Sequence, residues 1–476
     1  MKEYELDIGL EVHVELSTAS KIFCACSTKF SLEANSSCCP VCTGMPGTLP
    51  VLNKKAVEYG VAVGLALNCT ITRDTMFDRK NYYYPDLPKA YQISQLYYPL
   101  AQKGKVIINE SGQEKIIRIH ELHLEEDAGR LLHDWEKDKT YIDYNRAGIP
   151  LIEIVTEADM HSADEVLAFL DKLKSILQYL GVSDCKMEEG SIRVDLNLSV
   201  REAGAITLGT RTEMKNLNSF KAIARAIESE SARQIEILRN GGQVALETRR
   251  WDDVSNESIR MRAKENIEDY RYFPDPDIPP LIISSDWIDE IKARLPEFRD
   301  EKIFRFQRDY DISLYDAEVL TSSKKIADIF EETAKLCHMP KEVSNWLMVE
   351  GMRIIRANEM DVWDIDFNPD NLAKLILMVD KGQINRTIAK EVFEEIFLKN
   401  IDPEVYVNKH GLGIISDDKI LGSAALRVIN NNPKSVSDYK QGKAKALGYL
   451  MGQTMKELNG RADPSLVRKI LLELLQ

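Results

Sequence analysis

Three segments of the chain carry side chains suited to holding a hard cation. Between Leu6 and Leu16 the apolar residues Leu6, Ile8, Leu10, Val12, Val14 and Leu16 alternate with Asp7, Gly9, Glu11, His13 and Glu15. Successive strand side chains point to opposite faces, so this spacing predicts one core face and one face displaying Glu11, His13 and Glu15. The same alternation recurs at Ile192, Val194, Leu196, Leu198 and Val200, with Arg193, Asp195, Asn197 and Ser199 on the polar side. Between them lies His123-Leu124-Glu125-Glu126-Asp127-Ala128-Gly129, whose consecutive acids repel one another unless a cation or water separates them. Carboxylates with one imidazole and an amide oxygen suit Mg²⁺ better than a closed zinc site. Spacing does not show that the three segments converge, so half-buried strands with merely solvated polar faces stay open as the alternative.

Cations and amides are concentrated in two further stretches. Phe77-Asp78-Arg79-Lys80-Asn81-Tyr82-Tyr83-Tyr84-Pro85-Asp86, followed by Lys89-Ala90-Tyr91-Gln92-Ile93-Ser94-Gln95, reads as a polar pocket wall, against the plainer reading of tyrosines covering a core edge. Thr212-Glu213-Met214-Lys215-Asn216-Leu217-Asn218-Ser219 joins a strand to a helix, where backbone N–H groups and the helix dipole favour an anion. Lys215 tilts that segment toward a phosphate or carboxylate rather than a simple N-cap. Cys24-Ala25-Cys26 and Cys39-Pro40-Val41-Cys42 form two thiol pairs separated by twelve residues, spacing that closes a tetrahedral structural zinc shell. A chance cluster of buried cysteines is the alternative, and Cys69, Cys185 and Cys337 read as core. No Gly-x-x-x-x-Gly-Lys-Ser/Thr loop, no Gly-x-Gly-x-x-Gly turn and no Gly-x-Ser-x-Gly elbow occurs in a suitable setting.

The elements that must position these residues are mixed. From Tyr4 to about Pro280, strand patterns alternate with Gly/Pro turns and a few helices, an α+β pattern. Val166, Phe169, Leu170, Leu173, Ile176, Leu177 and Leu180 predict a helix begun by a Ser162/Glu165 capping box and stopped at Gly181. A second is framed by Ser219 and Gly241-Gly242, with Phe220, Ile223, Ile227, Ile235 and Leu238 inward. After the proline-rich stretch Asp275–Pro280, a candidate boundary, the pattern predicts amphipathic helices at Asn371–Val379, Thr387–Phe397, Lys419–Ile429, Lys443–Leu458 and Ser465–Leu475.

The 476 residues suffice for two to four domains, and 44% hydrophobic with 29% charged residues is a globular composition. The net charge of −14 argues, taken globally, against a nucleic-acid partner. It is segregated, however: residues 406–476 hold 11 basic and 6 acidic side chains, so this tail is +5 and the remainder −19. No secretory signal or membrane-length apolar run is visible, and the cysteine usage fits a reducing compartment, so a cytoplasmic protein without a membrane partner is expected.

Ile8-Gly9-Leu10-Glu11-Val12-His13-Val14-Glu15-Leu16, Gly44-Met45-Pro46-Gly47, Asp78-Arg79-Lys80-Asn81-Tyr82, His123 to Gly129, Lys215-Asn216-Leu217-Asn218-Ser219-Phe220 and Arg271-Tyr272-Phe273-Pro274, in this order, closely resemble the GatB/GatE family of aspartyl/glutamyl-tRNA amidotransferase subunits. Gly442-Lys443-Ala444-Lys445-Ala446-Leu447-Gly448 resembles that family's YqeY-like tail. The resemblance implies a cradle-like α+β catalytic domain with antiparallel sheets over 1–290, an all-helical domain over 291–405 and a helical tail contacting tRNA over 406–476.

It further implies ATP-dependent conversion of misacylated glutamyl-tRNA(Gln) and/or aspartyl-tRNA(Asn) to the cognate amide, a carbon–nitrogen ligase activity. ATP phosphorylates the side-chain carboxylate here, and ammonia released from glutamine by the amidotransferase's amidase component, GatA, displaces phosphate. The absence of amidase motifs agrees with that division, and the small component GatC completes a heterotrimer. The family's Mg²⁺ site maps onto Glu11, His13, Glu125, Glu126 and Asp195, and structural Zn²⁺ onto Cys24, Cys26, Cys39 and Cys42. Lys80, Lys89 and Lys215 are expected to bind phosphate or carboxylate oxygens, and Asn197 and Asn216 to orient the acyl group. Glu11, Glu126, Lys80, Lys89, Lys215 and Asn216 form the expected catalytic set, and Arg79, Asn197 and Lys215 the nucleotide-binding set. Arg130, where lysine is common, and Ala158, where proline is common, are the departures noted. A metal-dependent phosphoester hydrolase and a zinc-stabilised, non-enzymatic tRNA-binding scaffold remain as competing readings.

Overall fold

The computed structural model describes residues 3–134, 136–263, 267–360, 362, 365–415 and 417–475. The chain divides into two compact units, residues 1–298 and 299–476. In chain order the strands are β1 (Tyr4–Glu15), β2 (Thr70–Ile71), β3 (Asp74–Thr75), β4 (Asp78–Asn81), β5 (Tyr91–Ser94), β6 (Ala101–Glu110), β7 (Gln113–Glu126) and β8 (Arg130–Asp134). They continue with β9 (Lys139–Asp143), β10 (Pro150–Thr156), β11 (Ile192–Glu202), β12 (Thr212–Lys215), β13 (Glu247–Asp252), β14 (Glu257–Ala263), β15 (Phe273–Pro274) and β16 (Leu281–Ile282). Three helices of this unit matter here: α1 (Lys54–Ala66), α2 (Ala163–Leu180) and α3 (Phe220–Arg239).

Nine strands form one sheet in the order β14-β13-β12-β11-β1-β10-β7-β6-β2, and β15-β4-β5 form a second. The described strand pairings are antiparallel except β12 with β13, which run parallel. A parallel neighbour needs a crossover, and α3 supplies it between those two strands. Alternation sorts the faces as expected. Ile8, Leu10, Val12 and Val14 of β1, Val194, Leu196 and Leu198 of β11, Ile152 and Ile154 of β10, and Leu122 and Leu124 of β7 are all buried on one side. They share a core with Val166, Phe169, Leu170, Leu173 and Leu177 of α2 and with Ala222, Ile223 and Ile227 of α3. Fully burying each of the larger side chains contributes about 1.5–3 kcal/mol.

The Ser162 hydroxyl accepts the Glu165 N–H at 3.1 Å, the first half of a capping box. The Glu165 carboxylate reaches one residue further back than that motif requires, to the His161 N–H at 2.6 Å. Gly181 ends α2 at φ 68°, a left-handed conformation with little steric cost for glycine. Ser219 caps α3 by accepting the Ala222 N–H at 3.0 Å. Phe220, Ile235 and Leu238 are only partly buried, whereas Glu230 and Gln234 lie fully buried on the inner side of α3. Arg233 and Gln234 satisfy Glu230 there, at 2.6 and 2.9 Å.

Beyond the proline-rich stretch, β16 still pairs with β3, and Ile291 of helix Ser285–Ala293 joins the first unit's core. The second unit is helical among its described residues. Its helices include Pro369–Asp380, Arg386–Lys399, Asp418–Asn431, Lys445–Glu457 and Pro464–Leu475. One apolar cluster centres on Phe306, Phe330, Trp346, Phe393 and Phe397, another on Leu421, Leu450, Val467 and Leu471.

Candidate functional site

Register builds the site. On β1, Glu11 stands opposite Asp195 of β11, and His13 opposite Arg193 of β11 and Glu153 of β10. Glu153 in turn stands opposite His123 of β7, and Asn197 of β11 opposite Glu213 of β12. Directly paired residues point to one side of a sheet, so five strands pool their polar side chains on the face away from α2 and α3.

Two ligand groups result. His13, Glu125 and Glu153 form one, with ligand atoms that all lie within 4.8 Å of one another; Glu11, Asp195 and Glu213 form the other under the same limit. In the first, His13 Nε2 is 3.5 Å from Glu125 Oε1 and 3.3 Å from Glu153 Oε2, while His123 Nε2 is 3.0 Å from Glu153. In the second, Asn197 Nδ2 donates to Glu11 Oε1 at 2.9 Å, and Lys215 Nζ contacts Asp195 Oδ2 at 2.5 Å and Glu213 Oε1 at 3.1 Å.

The charges are held against burial. Burial and the nearby carboxylates raise the Glu11 carboxyl above the usual range, although Asn197 opposes this. Burial likewise raises Glu125, with His13 opposing. Burial works against ionised Glu153 too, but His13 and His123 outweigh it and hold that carboxyl well below the ordinary range. His13 is raised to about 9, since Glu153 and Glu125 overcome its desolvation. Two carboxylates no more than 4.8 Å apart repel by about 3 kcal/mol or more at an effective dielectric near 20. A hard divalent cation relieves that repulsion, and five carboxylates to one imidazole is the donor chemistry it prefers. Asn197 Oδ1 adds a buried acceptor with no hydrogen-bond donor among the described residues. The residues present therefore fit Mg²⁺.

Of the Mg²⁺ ligands expected from sequence, Glu11 and Asp195 fall in one group and His13 and Glu125 in the other. Glu126 lies apart from both, clamped by Lys89 Nζ, whose distance to Oε2 is 2.6 Å, and accepting the Ile93 N–H at 2.8 Å. Lys89 and Glu126 line a cleft of about 260 Å³ shared with Lys21, Cys24, Cys42, Arg79 and Asp277. Arg79 is engaged there, with Nε 2.7 Å from Asp275 and Nη2 2.7 Å from Asp277, stacked over Tyr91 at 4.2 Å. Lys80 faces the first acid group. Its ammonium sits 5.0 Å from the Tyr270 ring centre and 5.7 Å from that of Tyr82, and Glu125 and Glu153 raise its pKa despite burial. Asn216 takes a left-handed φ of 67° and donates Nδ2 to the Trp251 carbonyl at 2.9 Å, tying β12 to β13.

The four cysteines expected to hold zinc do converge, with Sγ atoms all within 4.8 Å of one another. Cys39 and Cys42 Sγ are 3.9 Å apart, against about 3.8 Å for the edge of a tetrahedron with Zn–S bonds near 2.3 Å. A hydrogen bond from Cys24 is the main cause holding the Cys42 thiol down at about 4. The Cys39 N–H at 3.1 Å and the ammonium of fully buried Lys21 at 3.6 Å add to it. The hydrogen bond with Cys42 and burial raise Cys24 instead, and burial and the bond with Cys39 raise Cys26. The cluster thus holds a thiolate beside a buried ammonium, and its four sulfur donors fit a structural metal whose net charge with four thiolates would be negative.

Sequence reasoning passes over Glu153, Glu213 and His123 as ligands or supports. Glu153 is the lone acid of the otherwise apolar run Pro150–Thr156, while Glu213 shares strand parity with Lys215, and His123 with Glu125.

The profile of the GatB/GatE catalytic domain matches residues 6–289, and that of the GatB domain matches residues 328–475. The B component of the aspartyl/glutamyl-tRNA(Asn/Gln) amidotransferase of Lachnoclostridium phytofermentans is 60% identical over 475 residues, covering 100% of this chain and 99% of its own length. That of Agathobacter rectalis is 59% identical over 475 residues, covering 100% of both chains. That of Caldanaerobacter subterraneus is 53% identical over 471 residues, 99% of each.

Proposed function

The chain belongs to the GatB/GatE family, and from that premise we propose that it is the component of a tRNA-dependent amidotransferase that activates and amidates the misacylated residue. It acts within a multi-subunit ligase, taking glutamyl-tRNA(Gln), aspartyl-tRNA(Asn) or both. The γ-phosphoryl group of ATP passes to the side-chain carboxylate oxygen, and ADP leaves. Ammonia then attacks the carbonyl carbon of the acyl phosphate, the C–O bond to phosphate breaks, and the proton lost by nitrogen departs with the phosphate.

The observation that carries this reading is the polar sheet face, where two carboxylate groups within 4.8 Å limits lie beside the ammonium groups of Lys80 and Lys215. Glu11, Asp195 and Glu213 would hold one Mg²⁺, and His13, Glu125 and Glu153 a second. Bound Mg²⁺ supplies charge neutralisation to nucleotide phosphates and the substrate carboxylate. Lys80, held by tyrosine rings rather than by a carboxylate, directs its N–H groups to phosphoryl or carboxylate oxygens. Lys215 bridges Asp195 and Glu213 at 2.5 and 3.1 Å and fixes their orientation. Asn197 anchors Glu11 by Nδ2 and offers Oδ1 to a ligand.

Cys24, Cys26, Cys39 and Cys42 would bind structural Zn²⁺. Residues 1–290 would hold the chemistry, 291–405 the helical domain, and the basic segment 406–476 contacts to tRNA. GatA would release ammonia from glutamine and GatC complete the heterotrimer. A cytoplasmic setting is part of the same proposal; no described helix is long and apolar enough to cross a membrane.

The test combines this chain with GatA and GatC, glutamine, ATP, Mg²⁺ and misacylated tRNA. ADP and amide are expected to form one for one, and neither without misacylated tRNA. ATP cleavage indifferent to the tRNA's acyl group would overturn the reading.

A further inference from the structure

One group of side chains bordering the acid face has no part in the proposed chemistry. Tyr82, Tyr83 and Tyr84 follow β4, and Tyr270 and Tyr272 precede β15, which pairs with β4 through Phe273 opposite Arg79. Asn81 Nδ2 donates to the Arg271 carbonyl at 2.9 Å and ties the two segments together. Four of the rings make a continuous row: Tyr84 to Tyr82 at 5.9 Å, Tyr82 to Tyr270 at 6.0 Å and Tyr270 to Tyr272 at 6.2 Å, each pair edge to face. Cations are interleaved. Lys80 lies over Tyr82 and Tyr270, and the Arg271 guanidinium is 6.0 Å from the Tyr83 ring centre. Tyr83 is 73% exposed and Tyr84 51%, so these rings are not sealing the core.

Exposed aromatic faces with interleaved cations bind unpaired nucleotides, because every base has a π-face to stack and every linkage a phosphate to pair. We infer that the row Tyr84, Tyr82, Tyr270 and Tyr272, with the adjacent Tyr83, Lys80 and Arg271, forms a stacking platform for the unpaired 3′-terminal bases of the misacylated tRNA. The inference rests on misacylated tRNA being the substrate. Two observations select that occupant over the adenine of ATP. A row four rings long exceeds what one base covers. Lys80 also lies over the two central rings of the row, Tyr82 and Tyr270, and interacts electrostatically with Glu125 and Glu153, so bases stacked along the row would bring the acyl group of the terminal nucleotide beside the acid face. Tyr82 is fixed in place, its hydroxyl donating to Gln92 Oε1 at 3.3 Å. Tyr83 and Tyr84, the more exposed of these rings, would take the bases further from the acyl end.

The test uses the assembled complex with Tyr83→Leu and Tyr84→Leu, singly and together, beside Tyr83→Phe and Tyr84→Phe. Each lost stack is expected to lower kcat/KM for misacylated tRNA about five- to 150-fold, carried mainly by KM. KM for ATP should stay within about twofold, and the phenylalanine variants should behave as wild type. An unmoved KM for tRNA, phenylalanine variants as weak as the leucine ones, or a rise in KM for ATP instead would each overturn the inference. A second readout needs no catalysis: fluorescence anisotropy of a labelled single-stranded RNA ending in CCA should show weaker binding to the leucine variants, and equal binding would overturn the platform. Failure of the functional reading looks different, since the wild-type complex itself would then show no misacyl-tRNA-dependent ADP formation.

Discussion

Replacing Glu153 by glutamine keeps the shape of the side chain and removes one charge from the first acid group. His13 Nε2 lies 3.3 Å from the Glu153 carboxylate, a separation at which unit charges interact by roughly 5 kcal/mol at an effective dielectric near 20. Glu153 is only 14% exposed; halving the figure for residual screening leaves about 2–3 kcal/mol as the loss for a cation in that position. At 1.4 kcal/mol per tenfold, and with that figure applying to each unit of cation charge, Glu153→Gln should weaken divalent-cation binding by at least about 30-fold. The assay titrates the protein with Mn²⁺ and follows free Mn²⁺ by electron paramagnetic resonance, without nucleotide or tRNA, so that their own metal binding does not intrude. Glu157→Gln is the control, because Glu157 is 40% exposed beside His120 and lies outside both acid groups. Wild-type Mn²⁺ affinity in a folded Glu153→Gln protein would refute the reasoning, as would equal losses in the two variants.

Four further outcomes are expected. Cys39→Ser with Cys42→Ser should abolish bound zinc, measured by plasma emission spectrometry, and lower the Tm; zinc content equal to wild type would show that the thiolates hold no metal. Lys80→Met should cut kcat for amide formation about 100-fold or more while leaving the Tm within a few degrees, read from steady-state rates and thermal unfolding. Leu173→Ala, at a fully buried position of α2, should cost about 2–5 kcal/mol in urea unfolding without changing KM for ATP at low temperature. Reversing the exposed Lys434 and Lys440 to glutamate should weaken tRNA binding and reduce the slope of log Kd against log salt by about one to two, with ATP binding unaffected.

Which parts of this are legible in the sequence follows from the range of the forces involved. Alternation along β1 and β11 is local, and it assigns Glu11, His13, Asp195 and Asn197 to one face without reference to pairing. The capping residues Ser162 and Ser219 are equally local. The partition into two ligand groups depends on register between strands more than a hundred residues apart, such as Glu153 of β10 opposite His13 of β1, and a lone glutamate in Pro150–Thr156 gives no local sign of it. Glu126 does carry a local sign, and it points away from the group that holds Glu125. Successive residues of a strand face opposite ways, so Glu125 and Glu126 join the same group only if the strand has ended, and β7 runs through both. Asn216 shows the opposite limit, since its left-handed backbone and its Nδ2 bond to the Trp251 carbonyl of β13 involve a partner that no neighbouring residue of the sequence announces. The zinc-like cluster is readable because paired thiols at short spacing are nearly sufficient to define it, whereas the buried Lys21 beside Cys42 is not.

In the proposed reaction this chain activates the side-chain carboxylate of the misacylated residue by phosphorylation before the amide forms. That step is tested most directly by supplying the assembled complex with glutamyl-tRNA labelled with ¹⁸O in both side-chain carboxylate oxygens, together with ATP and glutamine, and analysing the released phosphate by mass spectrometry. One ¹⁸O atom is expected in the phosphate for each amide formed. Amide formation with unlabelled phosphate would contradict it.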